Sequence, residues 1–524
     1  MWRFLPFPSS LLPFLPSRSN ATSSNSSNET TGPTSSGMER LLDINRHGRV
    51  QPLWNGITVF GKGAVLGMEP IEEGLIWMPD HDRSGHVGCF GTTRSGKSRM
   101  IEAVMEQDIR KGYSTVVFDP KGDHVLFSKF VQVAAESGRL DQVLLLTPIF
   151  PDYSIYLDPL SNYYMEEELV NHIYCILPGK DSPAAEFFTG TAETVSHAII
   201  SSLIKLMRAR GERVSLTFDD IKKRIGHEDL RRLRESLAML PNTEDLCHTL
   251  DSIIQNDALK DFYVRISASL RDAMIKLTMG NTGRIIGKAR TNPFVQRLEN
   301  GEPVLLFCTL GSLLTSRVSY LTAKVLVSMI QSLAGRIFAR GSYLRIPLCL
   351  HLDEGHNILY PGIHELFNKA GGANIWVHVY TQSKATFEKE AGRLSAHSII
   401  DSINTWVYFR LNHPETAEHV METSPIVDRQ EPVMSLGASP TFRGIKMRQI
   451  QQHKVIDLDN RWFYFRSRNM KCKGQTLDVY PPYVQVTFPH ITTDGLQFGE
   501  SRQSASPAET PSDVAPEDGS PTPE

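Results

Sequence analysis

Gly91-Thr92-Thr93-Arg94-Ser95-Gly96-Lys97-Ser98 spells G-x-x-x-x-G-K-S. The apolar run His86-Val87-Gly88-Cys89-Phe90 precedes it, and a helix-like stretch from Arg99 to Lys111 follows. By composition alone the pattern arises in roughly one in fifty chains of this length, so the flanks decide. A strand, a glycine loop and a helix in that order form a phosphate cradle. The glycines let the loop turn its backbone N–H groups inward, beside the positive end of the helix. Lys97 then reaches the β- and γ-phosphates, and the Ser98 hydroxyl holds Mg²⁺. A glycine turn that binds nothing is the rival reading, and it does not require these flanks. The sequence predicts an α/β fold with a nucleoside triphosphate site lined by residues 91–98.

The use of the triphosphate is read further along. Ile346-Pro347-Leu348-Cys349-Leu350-His351-Leu352-Asp353-Glu354 is an apolar strand ending in two carboxylates, similar to a Walker B element. Asp353 would hold Mg²⁺ through water, as the acidic partner of Ser98. Glu354 would take a proton from the attacking water, or orient it. A glutamate beside the metal carboxylate favours hydrolysis over transfer to a hydroxyl. The next strand-like run, Ile375–Tyr380, ends in Thr381-Gln382-Ser383, and Gln382 suits sensing the γ-phosphate or placing water. Phe118-Asp119-Pro120-Lys121-Gly122-Asp123 follows the second strand. Strand-end carboxylates of a parallel sheet converge on the ligand crevice, which puts Asp119 and Lys121 beside the nucleotide. Solvated strand-end acids, a polar loop residue and a tight Pro-Gly turn are the plainer readings of these three features.

The 524 residues exceed what one core supports and suggest two or three units. Hydrophobic residues at 40% and charged ones at 22% are those of an ordinary globular protein. The six cysteines are scattered without a C-x-x-C pair, the usage of a reducing compartment rather than a disulfide framework or zinc site. A net charge of −3 argues against binding nucleic acid by bulk electrostatics, although a local basic channel is compatible with it. Nine Lys/Arg against six acids in residues 207–235 read best as a solvated helical face. No run of 18 apolar residues stands out as a membrane span. Pro6, Pro8, Pro13 and Pro16 break the apolar start, and Arg3 is its only positive residue, which makes a poor signal peptide. The sequons at Asn20, Asn25 and Asn28 are what a Ser/Thr/Asn-rich stretch generates by accident, and Met38 is a second candidate start.

Five segments are expected. Residues 1–37 form a disordered extension; 38–165 the first part of the nucleotide-binding core; 166–295 an all-helical insertion; 296–495 the second part of the core, with closing strands; and 496–524 an acidic, proline-rich tail. Strand and helix alternate up to about residue 160, then helical periodicity takes over, then strands return. A single sheet interrupted by a helical module explains this order.

Taken together these residues resemble the conjugative coupling proteins of type IV secretion, the TraD/TraG-type DNA-translocating ATPases. The resemblance runs over roughly residues 80–420. GTTRSGKS at 91–98, FDPKGD at 118–123, YLDPLSN at 156–162, LHLDEGHNILYPG at 350–362 and NKAGGANIWVHVYTQS at 368–383 carry it. It implies a RecA-like P-loop core with an inserted all-α domain, ATP and Mg²⁺ as ligands, and a homohexameric ring. It also implies pumping of relaxase-bound single-stranded DNA into a type IV secretion channel, with the helical insertion and the tail as contacts for partner proteins. Lys97 and Ser98 match the nucleotide loop, Asp353 and Glu354 the metal and water carboxylates, and Gln382 the glutamine of the next strand.

Two departures stand out. The two-helix membrane anchor usual in such proteins is not seen, so membrane contact through a partner, from the bacterial cytoplasm at the inner membrane, is expected. The position where related motors supply an arginine in trans holds none, which leaves Lys369, Arg393 and Arg410 as candidates. The alternatives are another ring motor of the HerA/FtsK or secretion-assembly kind, and a non-catalytic ATP-binding docking platform.

Overall fold

A glycine-rich hairpin, β1 (Ile57–Val65) and β2 (Gly74–Pro79), opens the described chain. Strand and helix then alternate: β3 (Val87–Phe90), α1 (Lys97–Arg110), β4 (Ser114–Asp119), α2 (His124–Glu136) and β5 (Val143–Leu146). Strands β3 to β5 are buried along their whole length, as parallel strands covered by helices on both faces are. α2 begins at His124 because the Asp123 carboxylate accepts the Val125 and Leu126 N–H groups.

From residue 166 to 299 the described segments form helices. They are α3 (Glu166–Tyr174), α4 (Pro183–Ala209), α5 (Phe218–Lys222), α6 (His227–Leu237), α7 (Glu244–Ile254), α8 (Ala268–Thr278) and α9 (Pro293–Glu299). Strands return as β6 (Leu305–Thr309), followed by the long α10 (Ser312–Ala339), β7 (Leu348–Leu352), α11 (His364–Lys369) and β8 (Ile375–Thr381). Next come α12 (Lys384–Ala391), α13 (Arg393–Ser402), β9 (Thr405–Tyr408) and α14 (Pro414–Glu422). The hairpin β10 (Ile426–Val433) and β11 (Thr441–Arg448), α15 (Gln452–Ile456), β12 (Trp462–Arg466) and β13 (Lys471–Thr476) complete the unit. The structure is a computed structural model that describes residues 56–66, 74–177, 183–254, 263–264, 267–433, 441–468, 470–479 and 481–486, plus 488, 492–493 and 496–497. The expected extension 1–37 and tail residues 498–524 lie outside the described residues.

One 11-stranded sheet spans the fold in the order β2-β1-β13-β12-β9-β3-β8-β7-β4-β6-β5. From β9 to β5 every pairing is parallel, and β12, β13, β1 and β2 extend the sheet antiparallel. This is a RecA-like α/β core with an all-α insertion between β5 and β6. Of the antiparallel wing, β12 and β13 are the closing strands expected from the sequence, whereas the hairpin β1–β2 was not foreseen. In β1, a Cβ at Gly61 would come 2.2 Å from the Gln475 carbonyl oxygen, so close backbone approach replaced the apolar alternation that marks a strand. The hairpin β10–β11 was missed for a related reason. Its described residues are largely exposed, so no buried face imposes a period of two. By length and composition α10 meets the test for a membrane span, which the sequence reading did not assign. Half of its most apolar window is buried inside the fold, between β6 and β7, which is the place of a core helix.

A buried polar cluster ties the strands of the site together from below. Arg83, fully buried, donates to both Asp108 oxygens at 2.5 and 2.8 Å and through Nε to His378 at 3.1 Å. His351 bonds the same carboxylate at 2.9 Å, and the Arg83 guanidinium lies over the Trp376 ring. Asp108 sits on α1, His351 on β7 and His378 on β8, the three elements that carry the cradle lysine, the paired carboxylates and the glutamine. Against the cost of burial, Arg83 and then His351 hold the Asp108 carboxyl far below its ordinary range. Arg83→Met is expected to leave that carboxylate without its main partner and to cost about 3–5 kcal/mol in a urea unfolding titration. A loss under about 1 kcal/mol would mean that the cluster does not hold these elements.

Candidate nucleotide site

Parallel register brings the candidate residues to one edge of the sheet. Phe90 pairs with Thr381 and Leu352 with both Phe118 and Val379, so Gly91, Gln382, Asp353 and Asp119 all leave the carboxyl ends of adjacent strands. The Gly91 N–H donates to the Thr381 carbonyl and the Asp353 N–H to that of Phe118, carrying the alignment one residue beyond the strands.

Arg94 (φ 62°) and Gly96 (φ 124°) hold left-handed backbone within the loop, a turn sequence that aims consecutive N–H groups to one side. Gly96 is also the residue where a Cβ would press on Phe409 at 3.0 Å and on the Arg461 backbone at 3.1 Å. No side chain caps the first turn of α1, which leaves that turn open to an anion. Ser95 is buried with its hydroxyl on the Thr92 carbonyl, whereas Thr93, Arg94 and Ser98 are exposed at the mouth. Lys97 is buried, its Nζ donating to the Gly91 and Thr92 carbonyls at 2.6 and 2.9 Å. Burial pulls its pKa below the usual lysine value, and Glu354 and Asp353 are near enough to oppose that shift.

Glu354 takes left-handed backbone (φ 47°, ψ 41°) at the end of β7, a strained conformation for a non-glycine residue of the kind that collects at functional sites. Its Oε2 accepts from Gln382 Nε2 at 3.1 Å, and its Oε1 lies 2.5 Å from Lys121 Nζ. Lys121 also reaches Asp353 at 3.6 Å. Burial raises the Glu354 pKa, but Lys121 outweighs it and keeps the carboxyl below its ordinary range. Asp353 shifts the other way, raised by burial, and its Oδ1 has no hydrogen-bond partner among the described residues.

Asp119, expected beside the nucleotide, braces its own loop. It is fully buried, and its carboxylate accepts the N–H groups of Lys121 at 3.0 Å, Gly122 at 3.1 Å and Asp123. Burial and then the neighbouring Asp353 push it up to about 7, while those donors oppose the shift. It fixes the loop that presents Lys121. The cradle's contact with the closing segment went unread in the sequence: the Arg461 N–H donates to the Ser95 carbonyl at 2.8 Å. Arg461 is 363 residues past Ser98 in number, and only the turn Asp459-Asn460 before a strand marked it. Of the three candidate trans cations, Lys369 is exposed and paired with Glu365 at 2.5 Å, and Arg393 is exposed at the start of α13. Arg410 belongs beside its own cradle, since its carbonyl accepts the Thr92 N–H at 2.9 Å.

The arrangement fits Mg²⁺ and a nucleoside triphosphate. An uncapped helix start and a buried lysine suit phosphate, and an unpartnered buried carboxylate oxygen suits a hydrated cation. Two family models match the chain, the central domain of helicase HerA over residues 80–273 and the TraM recognition site of TraD and TraG over 347–423. The type 4 coupling protein DotL of Legionella pneumophila is 31% identical over 91 residues, 17% of this chain and 11% of that protein's length. The fold is that of the conjugative coupling protein TrwB, with a TM-score of 0.59 over 84% of this chain and 94% of that structure at 15% identity. TrwB in complex with ADP and Mg²⁺ superposes with a TM-score of 0.56 at 16% identity, over 77% of this chain and 87% of that one.

Proposed function

We propose that this chain, a coupling protein of the TraD/TraG kind, hydrolyses ATP with Mg²⁺ to drive relaxase-bound single-stranded DNA into a type IV secretion channel. The observation that carries the proposal is the meeting of Lys97, Asp353, Glu354 and Gln382 on one sheet edge. ATP with Mg²⁺ supplies the phosphoanhydride and the charge that polarises it. Ser98 and Asp353 would hold the ion, Asp353 through its free oxygen. Lys97 gives positive charge to the cradle, and the open first turn of α1 gives N–H donors. Glu354 takes the proton of water, and Gln382 fixes the direction in which its carboxylate points.

The TraM-recognition match and the TrwB fold support docking with relaxosome and channel proteins at the inner membrane, and a homohexameric ring. The HerA match favours a second reading, a motor on duplex DNA. Phosphate release should rise several-fold when single-stranded DNA is added to the full chain with Mg²⁺–ATP, and less with duplex. A rate indifferent to both would turn the assignment toward a docking platform, and a preference for duplex toward the HerA-like motor.

A further inference from the structure

We propose that the groove between the inserted helices and α10 holds a single nucleic-acid strand by its phosphates, and that α12 passes its occupancy to the nucleotide site. The inference rests on the reading of the chain as a DNA-driven ATPase and assigns that DNA a place.

The groove measures about 850 Å³ and is lined chiefly by α8, α10 and the turn from α12 into α13, with Ile176, Leu177 and Pro361 completing it. Arg317, Tyr320 and Lys324 stand at i, i+3 and i+7 on α10, and so share one face of the helix. Lys276 enters from α8 and Lys389 and Arg393 from the α12–α13 turn, against Asp272 and Glu390. Asp272 is matched by Lys276, and Glu390 lies 3.9 Å from Lys389. Arg317, Lys324 and Arg393 have no ion-pair partner among the described residues, which leaves the groove with surplus positive charge. Burial holds Lys324 below the ordinary lysine range although Glu390 opposes the shift, so its desolvation is only partly balanced. The basic run at 207–235 is different, since Lys222, Lys223, Arg231, Arg232 and Arg234 each contact a carboxylate.

Cations that track phosphates beside an aromatic face are the means by which single strands are held without sequence preference, and Tyr320 supplies that face. The path to catalysis is short. α12 runs about 12 Å for its eight residues. It ends in the groove wall and starts at Ser383, whose hydroxyl caps it. Gln382, the preceding residue, is the one that bonds Glu354. A strand pressing on the far end of this helix moves the amide that orients the carboxylate.

Arg317→Ala/Lys389→Ala removes two exposed cations that belong neither to the cradle nor to its carboxylates. With a fluorescent oligothymidine and the full chain, anisotropy should show about tenfold weaker binding, and a salt slope shallower by about 1.4. DNA-stimulated phosphate release should fall while the basal rate holds. Parent-like affinity, slope and stimulation in the variant would overturn the groove while leaving the DNA-driven ATPase intact. A parent that neither binds the oligonucleotide nor responds to it would overturn both. Unchanged DNA binding with weakened binding of a peptide of residues 501–524 would give the groove to the chain's own acidic tail instead.

Discussion

Glu354→Gln should bind ATP about as well as the parent and turn it over about 10³-fold more slowly. The substitution keeps the shape of the side chain and a carbonyl oxygen to accept the Gln382 amide, now placed at 3.1 Å from Glu354. It removes the charge that Lys121 meets at 2.5 Å and the basicity that would draw a proton from water. General-base contributions of ~10²–10⁴ set the scale. The geometry argues against the top of that range. In the ligand-free chain the carboxylate is already held below its ordinary pKa by Lys121, so the parent base is weak until that lysine has another anion to face. A fluorescent ATP analogue titrated against both proteins, followed by single-turnover phosphate release, separates binding from chemistry. Turnover within tenfold of the parent would show that the proton of water goes elsewhere.

The parallel half of the sheet and the site on its edge were legible because their signals are local. An apolar run that ends in a glycine loop, a Pro-Gly turn, paired acids or a polar triplet carries its own punctuation, and β3, β4, β7 and β8 each end in one of these. Depth in the sheet makes such strands hydrophobic throughout, and the same depth gives their carboxyl ends a common edge. What stayed hidden depends on distant partners. The strand β1 is defined by what lies across it, the Gln475 carbonyl against Gly61, and nothing within nine residues of ITVFGKGAV announces that neighbour.

Asp119 shows the same limit at the scale of one side chain. A strand-end carboxylate can face a ligand or fold back on its own loop, and the choice is made by Pro120 and Gly122, which let three N–H groups reach it. Lys121 then gains importance from the turn that Asp119 fixes. Sequence reading put Lys121 near the nucleotide but had no means of pairing it with Glu354. Among the described residues it is the cation that meets both carboxylates of the site, which makes it the natural cis neighbour for whatever charge arrives there.

Lys97→Ala should lose ATP affinity by two to three orders of magnitude and abolish turnover, without weakening the ligand-free fold. The two effects separate because Lys97 is an expense to the empty protein. Its ammonium is buried, desolvation has lowered its pKa, and its hydrogen bonds are to two neutral carbonyls of its own loop. Carbonyl dipoles compensate a buried charge less well than an anion does. A phosphate about 4 Å away, at an effective dielectric constant near 20, would attract the ammonium by ~4 kcal/mol. That corresponds to ~10³ in affinity. Thermal unfolding reads both terms at once. The parent should melt higher as Mg²⁺–ATP is raised through and beyond its dissociation constant, by the mass-action term that grows with log ligand. The alanine variant should melt at or above the parent's ligand-free temperature and stay there as nucleotide is added. A variant that melts well below the parent without ligand would mean that Lys97 supports the loop rather than the phosphate. One that still climbs with nucleotide as the parent does would put the binding energy in the N–H groups between Thr93 and Ser98 alone.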